Sequence, residues 1–211
     1  MEIHPPTKPI ESVREFFVHL SMITIGILIA LGLEQTVEAW HHHELGVRAE
    51  ESILNEMRDN KKEIDAERTL VAKNKERLGD ALGLVQQLLA HRKLLKAEIS
   101  IRFSGADLSS TSWTTAAVTG ALGYMGYSET KRFAHAYDLQ ALILPVQSEG
   151  LHETSRALAL LAYAPGGPES LNDEQLRTTQ SEILNCLAIT EQWDQLAVQL
   201  SKQYARALKA D

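Results

Sequence analysis

Residues 16–33, FFVHLSMITIGILIALGL, form a run of 18 residues without a charged side chain. A helix of about 17–25 apolar residues is long enough to cross the hydrocarbon core of a bilayer. A buried core helix would show a polar face, and a signal peptide would have a shorter apolar region that ends in small residues. The run instead ends at Glu34, and its polar side chains lie near its N-terminal end. We therefore predict an uncleaved transmembrane helix over residues 16–36, preceded by a short tail of residues 1–15.

The charges that flank this run predict its orientation. Lys8 and Arg14 precede it, whereas Arg48 is the only Lys or Arg in the fifteen residues that follow. Because Lys and Arg are enriched on the cytoplasmic side of membrane helices, we predict a single-pass membrane protein. Its N-terminus would be cytoplasmic and its C-terminal body periplasmic.

Two small residues inside the run, Gly26 and Ala30, are separated by four positions and lie on one helix face. Such small-xxx-small pairs allow the backbones of two membrane helices to approach closely. The pair is therefore predicted to be a helix-packing face for a membrane-protein partner or a second copy of the chain.

The segment after the run, residues 34–44 (EQTVEAWHHHE), combines acidic and imidazole side chains. Glu34, Glu38 and either His41 or His42 fall on one helix face, and such pairs at i,i+4 can bind zinc or copper. However, adjacent histidines point around a helix rather than together, and no HExxH motif is present. We favour an interfacial segment at headgroup depth, without metal or cofactor. Its interfacial residues would be Trp40, His41, His42 and His43.

Residues 37–98 contain no proline and show heptad spacing. Such spacing predicts one long helix with a packing seam of the coiled-coil type, in which apolar residues alternate at three and four positions. Gly79 and Gly83 would mark either a close helix contact or a bend. The seam positions are Met57, Ile64, Val71, Leu78 and Val85, with companions at Trp40, Val47, Leu54, Lys61, Arg68, Lys75, Leu82 and Leu89.

Residues 99–128 interrupt this pattern. We predict a loop over 99–110, followed by an uncharged stretch over 108–128. Its many Ser and Thr hydroxyls disfavour a second membrane span, so we expect a helix that starts at Ser110 or Thr111 and is buried in the body.

The remaining chain predicts two more helices. One begins near Ser128 and ends before APGGP at 164–168, which is a turn sequence, and the last is capped by Asn172. The fold is therefore predicted to be all-α. An N-terminal transmembrane helix would continue into a long helix, and an antiparallel helical bundle of residues 99–211 would pack on it.

The composition argues against several classes of function. With 21 Lys+Arg against 28 Asp+Glu and no basic stripe, the chain is not expected to bind nucleic acid. A single cysteine, Cys186, excludes an internal disulfide and is expected in the core. No GxSxG motif or phosphate-binding glycine loop is present. Residues 109–112 with His135 and Asp138 supply triad residue types that any chain of this size contains, so no enzyme is predicted.

The segment FFVHLSMITIGILIALGLEQ, with its acid- and histidine-rich continuation, resembles the N-terminus of uncharacterised bacterial single-span membrane proteins. Their openings follow the pattern FLxHLxxxxxGLLIALGLEQ, and a mid-chain Trp-Thr pair in them is similar to Trp113-Thr114 here. The resemblance implies a single-pass topology in the bacterial inner membrane and transfers no functional residues.

These patterns predict a membrane-anchored, non-enzymatic accessory or scaffold subunit of a bacterial membrane protein complex. It would act through helix–helix contacts, with the lipid bilayer and a membrane protein or a second copy as partners. The alternative is an extracytoplasmic helical-bundle sensor or ligand-binding module.

Overall fold

The computed structural model describes residues 13–91 and 105–209, and every regular element within these two ranges is helical. The predicted all-α fold is therefore confirmed. Outside the described residues lie 1–12 of the predicted tail, 92–98 of the predicted long helix and 99–104, half of the predicted loop. The helices are α1 (Val13–His91), α2 (Thr111–Val118), α3 (Tyr127–Tyr163) and α4 (Asp173–Ala207), with 3₁₀ turns at Ala121–Tyr124 and Pro168–Ser170.

Helix α1 joins the apolar run to the bundle without a break. It contains 79 residues and is therefore about 118 Å long at 1.5 Å per residue. Gly79 and Gly83 both lie inside it, and a Cβ added to either would meet no neighbouring group within 4 Å. These glycines accordingly mark neither a close contact with another described helix nor an end of α1.

The seam of α1 is buried, although its second set of positions differs from the prediction. The five predicted residues from Met57 to Val85 are all at most 3% exposed. Their buried companions lie one residue earlier than predicted: Ile53, Asn60, Glu67, Asn74, Ala81 and Leu88. Three of these are polar, so the apolar pattern did not identify them. The predicted companions lie at the edges of the seam or outside it, with Trp40 65% and Val47 48% exposed.

The helices alternate in direction, as predicted for an up-and-down bundle. Helix α2 runs back along α1, because Ser112 hydrogen-bonds Ser52 whereas Tyr124, after α2, stacks on His42. Helix α3 then runs parallel to α1, and α4 returns antiparallel to both. The ion pairs Arg68–Asp194 and Lys75–Glu191 join α1 to α4.

Local sequence explains where the helices of the bundle begin. Ser110 directly precedes α2, as predicted, but its side chain makes no capping hydrogen bond. The predicted burial of this helix is wrong, because Ala116 is its only buried residue. Asn172 caps α4 with a reciprocal capping box, in which its side chain accepts from the Gln175 N–H and Gln175 accepts from the Asn172 N–H. Gly167, with φ at 82°, supplies the left-handed backbone that the turn before α4 requires.

The interior contains two apolar clusters. The cluster nearer the apolar run is built around Trp193, Tyr204 and Phe133, each at most 1% exposed. The far cluster joins the C-terminal part of α1 to the end of α3 and the start of α4 and includes Cys186, at 1% exposure. Burial raises the pKa of the Cys186 thiol. Cys186 is therefore the small core residue that the sequence predicted.

Candidate functional site

The N-terminal part of α1 projects from the bundle with its apolar side chains uncovered. Every residue from 13 to 41 is exposed, and the side chains of Phe17, Met22 and Ile27 are 58%, 65% and 54% exposed. This helix is long and apolar enough to cross a membrane, and none of its most apolar 18-residue window is buried. This lack of burial distinguishes the apolar run from the core helix of a soluble bundle, which would be mostly buried.

The predicted helix-packing pair lies on this uncovered part of α1. Gly26 and Ala30 are both exposed, and a Cβ added to Gly26 would meet no neighbouring group within 4 Å. The structure thus leaves the small face accessible to another helix, as close backbone packing requires.

The acidic and histidine-rich segment follows directly. Glu34, Glu38 and His41 line one shallow surface with Leu33 and Val37. Between side chains of this segment, His42 Nε2 lies 3.9 Å from Glu38 Oε1. Within residues 13–91 and 105–209, no three His, Cys, Asp or Glu side chains converge as a metal site would require. The four residues considered as metal ligands therefore lie along one side of α1, and their side chains do not converge on one point.

The predicted interfacial residues have different surroundings. Trp40, His41 and His43 are exposed, whereas His42 is partly buried. The His42 ring stacks on Tyr124, with ring centroids 4.1 Å apart and an angle of 11° between planes. His42 is thus the first residue of α1 with a described contact to the bundle, and the segment Glu34 to His41 separates the apolar run from it.

A close backbone approach fixes the bundle at this height on α1. A Cβ added to Gly46 would lie 2.6 Å from the carbonyl oxygen of Tyr124, so only glycine permits the observed contact. Together with the His42–Tyr124 stack, this contact holds the 3₁₀ turn Ala121–Tyr124 against α1 at residues 42–46.

Two amide side chains clamp the extended segment that leads into α2. Asn60 accepts from the Ser109 N–H at 2.9 Å and donates to the Ser109 carbonyl at 2.6 Å. Gln147 does the same for Ala106, accepting from its N–H at 3.0 Å and donating to its carbonyl at 3.1 Å. Each clamp satisfies both backbone groups of one residue, as a neighbouring strand would.

A carboxylate completes the attachment of this segment. Glu56 accepts hydrogen bonds from Tyr137 Oη at 2.6 Å, Ser109 Oγ at 2.7 Å and the Ser112 N–H at 2.9 Å. Burial opposes ionisation of Glu56, but these hydrogen bonds outweigh it and hold the pKa of the carboxyl below its usual value. Burial and the same carboxylate raise the pKa of the Tyr137 phenol.

The polar groups at this attachment form hydrogen bonds with one another and with the backbone. Gln140 donates to the Ser109 carbonyl at 3.0 Å and accepts from Tyr204 Oη at 2.6 Å. Ser109 Oγ donates to Glu56 rather than to a histidine, and His135 and Asp138 lie on the exposed side of α3. The described hydrogen bonds thus do not assemble a nucleophile with a base.

The sequence did not single out the residues of this polar attachment. A usable signal was present, because Asn60, Glu67 and Asn74 repeat every seven residues, three positions after Met57, Ile64 and Val71. A polar residue repeated within a buried seam indicates either a buried hydrogen-bond partner or a position that fixes register.

Comparison with known protein families, with curated proteins and with solved structures finds no match to this chain.

Proposed function

We propose that the protein is a membrane-anchored, non-enzymatic accessory or scaffold subunit of a bacterial membrane protein complex. The first part of α1 would span the inner membrane, with the N-terminus in the cytoplasm and the bundle in the periplasm. The span would dock on a membrane protein or a second copy through Gly26 and Ala30.

The observation that supports this proposal is the contrast between the two parts of α1. From residue 53 onwards, a continuous seam of α1 is buried by the rest of the bundle, whereas residues 13–41 have no buried side chain. In water such an apolar surface would cost about 25 cal/mol for each Å² exposed. A bilayer removes this cost, and the small face then gains dispersion contacts by packing against another helix.

The internal chemistry of the bundle favours a structural role. Its polar side chains Glu56, Asn60 and Gln140 each have several hydrogen-bond partners within the chain. Groups that are saturated in this way position a segment of backbone and are not free to bind substrate. The proposed activity is therefore the placement of a bundle at a fixed distance from the membrane.

A test of the proposal has two stages. Carbonate extraction of membranes shows whether the chain is an integral membrane protein, and native electrophoresis after mild detergent extraction shows its assembly state. We expect the wild type to resist carbonate and to migrate in an assembly larger than the 23.5 kDa chain in its micelle.

A matched pair of variants locates the docking face. Gly26→Ile should reduce the assembly to the monomer, because a branched side chain separates the two backbones. Gly32→Ile is the control, since Gly32 also has no neighbouring group within 4 Å but lies on a different helix face. Release by carbonate would contradict the anchor, and a wild-type monomer or equal effects of both variants would contradict the docking face.

A groove between α1 and α2 favours the second candidate, a ligand-binding module. It has a volume of about 330 Å³, and its lining is mainly apolar. Hydroxyl residues such as Ser52 and Thr115 and the Arg48 side chain line it together with Leu45, Ala49, Ala116 and Ala121. Because the Arg48 guanidinium is paired with Glu44, this lining suits a small ligand that has both an apolar part and hydroxyl groups. If a metabolite of this kind raises the melting temperature of the full chain in detergent, and Thr115→Phe abolishes the rise, this candidate gains support over the scaffold. If no such metabolite raises the melting temperature, the scaffold remains the proposed function.

A further inference from the structure

We propose that the end of the bundle nearest the apolar run binds the surface of the lipid bilayer. This base surface consists of Val118, Tyr124 and Tyr127, and its occupant would be the headgroup layer around the span of the same molecule. The inference rests on the proposed membrane anchor and adds a second, peripheral attachment to it.

The first supporting observation is exposure without charge. Val118 is 79% exposed, Tyr127 84% and Tyr124 44%. They belong to residues 108–128, which contain no Asp, Glu, Lys or Arg in a chain that is 23% charged. A surface that faces only water usually carries roughly 25–35% charged residues. Charged side chains border this segment, with Glu129 beside Gly126 and Arg48 in the groove that Thr119 and Ala121 line. Exposed apolar and aromatic side chains gathered at one end of the bundle nevertheless indicate a contact that is not water.

The second observation is the height of this surface above the apolar run. Tyr124 stacks on His42 and contacts Gly46 through its backbone. His42 follows Leu33 by nine residues, which is a rise of about 13 Å along α1. The headgroup layer extends about 5–8 Å beyond the hydrocarbon on each side. With α1 upright, the level of the His42–Tyr124 contact therefore lies about 5–8 Å beyond the headgroup layer.

Tilt of α1 towards the side that carries the base surface narrows the gap between this surface and the headgroups. Membrane helices tilt by about 20° on average. A surface one helix diameter (about 11 Å) from the axis of α1 would then move about 4 Å towards the bilayer. Because α1 is one continuous helix from the run to the bundle, the bundle must follow this tilt. The remaining gap of about 1–4 Å is shorter than a tyrosine side chain.

The chemistry of the surface matches the interface. Tyrosine and tryptophan are enriched at headgroup depth, where the ring contacts apolar groups and the polar atom remains hydrated. Tyr124, Tyr127 and the exposed Trp40 provide three such side chains at neighbouring heights on one end of the molecule.

The test uses the full chain in nanodiscs of phosphatidylcholine and phosphatidylglycerol that contain a lipid with a spin-labelled headgroup. An environment-sensitive fluorophore is attached to a cysteine at one position at a time, in the variants Val118→Cys and Tyr127→Cys. Native Cys186 is 1% exposed, and the labelled wild type serves as the blank. Circular dichroism confirms that each labelled variant keeps its helical content.

Helix α3 provides matched controls. Tyr127 and Tyr163 are its first and last residues, with 84% and 85% exposure, and they lie about 54 Å apart along the helix. Leu142, 59% exposed, lies between them. We expect the labels at 118 and 127 to lose most of their emission to the spin-labelled headgroups, whereas labels at 142 and 163 lose none.

The outcomes separate the two proposals. Unquenched labels at 118 and 127 in a protein that resists carbonate extraction would overturn the lipid contact and leave the anchor intact. Disulfide-linked dimers of Tyr127→Cys in unlabelled nanodiscs, without lipid quenching, would also overturn it in favour of a second copy. Release of the protein by carbonate would overturn the anchor itself.

Discussion

Replacement of Asn60 by alanine tests whether the amide clamp holds the bundle segment on α1. Asn60 is 3% exposed and makes two hydrogen bonds with Ser109 and a third, at 3.3 Å, with Gln140. A net hydrogen bond contributes about 0.5–1.5 kcal/mol. The Ser109 carbonyl and the Gln140 oxygen keep other partners in the variant. The lost stability should therefore lie near the middle of the range obtained by adding the three hydrogen bonds. We expect Asn60→Ala to lower the free energy of unfolding by about 2–3 kcal/mol.

The assay is urea unfolding of the full chain in detergent, followed by circular dichroism and by amide hydrogen exchange. The Ser109 N–H loses its only described acceptor and should exchange faster than in the wild type. Asn55→Ala is the control, because Asn55 is exposed on the same helix and pairs only with Arg58 among the described hydrogen bonds. Both substitutions replace asparagine by alanine within α1 and so raise helix propensity equally. The control should therefore shift the free energy of unfolding by less than about 0.5 kcal/mol. Equal effects of the two variants would refute the clamp.

Three further experiments test other parts of the structure. Gly46→Ala should destabilise the protein by about 1–3 kcal/mol because its Cβ would strike the Tyr124 carbonyl, whereas Gly83→Ala should stabilise it by about 0.5–1 kcal/mol; effects of the same sign in thermal unfolding would contradict this contrast. The lowered pKa of Glu56 contributes stability that is complete above the ordinary value of 4.5 and is lost as the pH falls through the folded-state pKa. Glu56→Gln should therefore flatten the acid limb of the stability profile, and an unchanged limb would count against the hydrogen bonds assigned to this carboxylate. Cys186 should resist iodoacetamide until urea unfolds the bundle, since burial raises the pKa of its thiol; rapid alkylation of the native protein would show that the far cluster is open.

Much of the fold follows from periodicity and capping. The apolar residues from Met57 to Val85 predicted one edge of the seam, and Asn172 predicted the start of α4, where the structure shows a capping box with Gln175. The second edge of the seam was misplaced by one residue. Burial of Asn60 depends on the backbone of Ser109, a residue 49 positions away, and no local pattern encodes such a partner.

The candidate site was less predictable than the fold. The apolar run and its small face could be read from composition, because a span must be apolar along its whole length. The base surface could not, since the height of Val118 and Tyr127 depends on where Tyr124 meets α1. That contact requires both the ring of His42 and the missing side chain of Gly46, which a one-dimensional pattern does not connect.

Site-specific photo-crosslinking within the span tests the central claim most directly. A benzophenone amino acid is placed at Ala30, on the small face, or at Leu28, about 200° around the same helix, and native membranes are irradiated. The account predicts a discrete protein adduct at position 30, identified by mass spectrometry as one membrane protein or a second copy, which Gly26→Ile removes. It also predicts no discrete protein adduct at position 28. Absence of a protein adduct at position 30, or equal adducts at both positions, would contradict docking through this face.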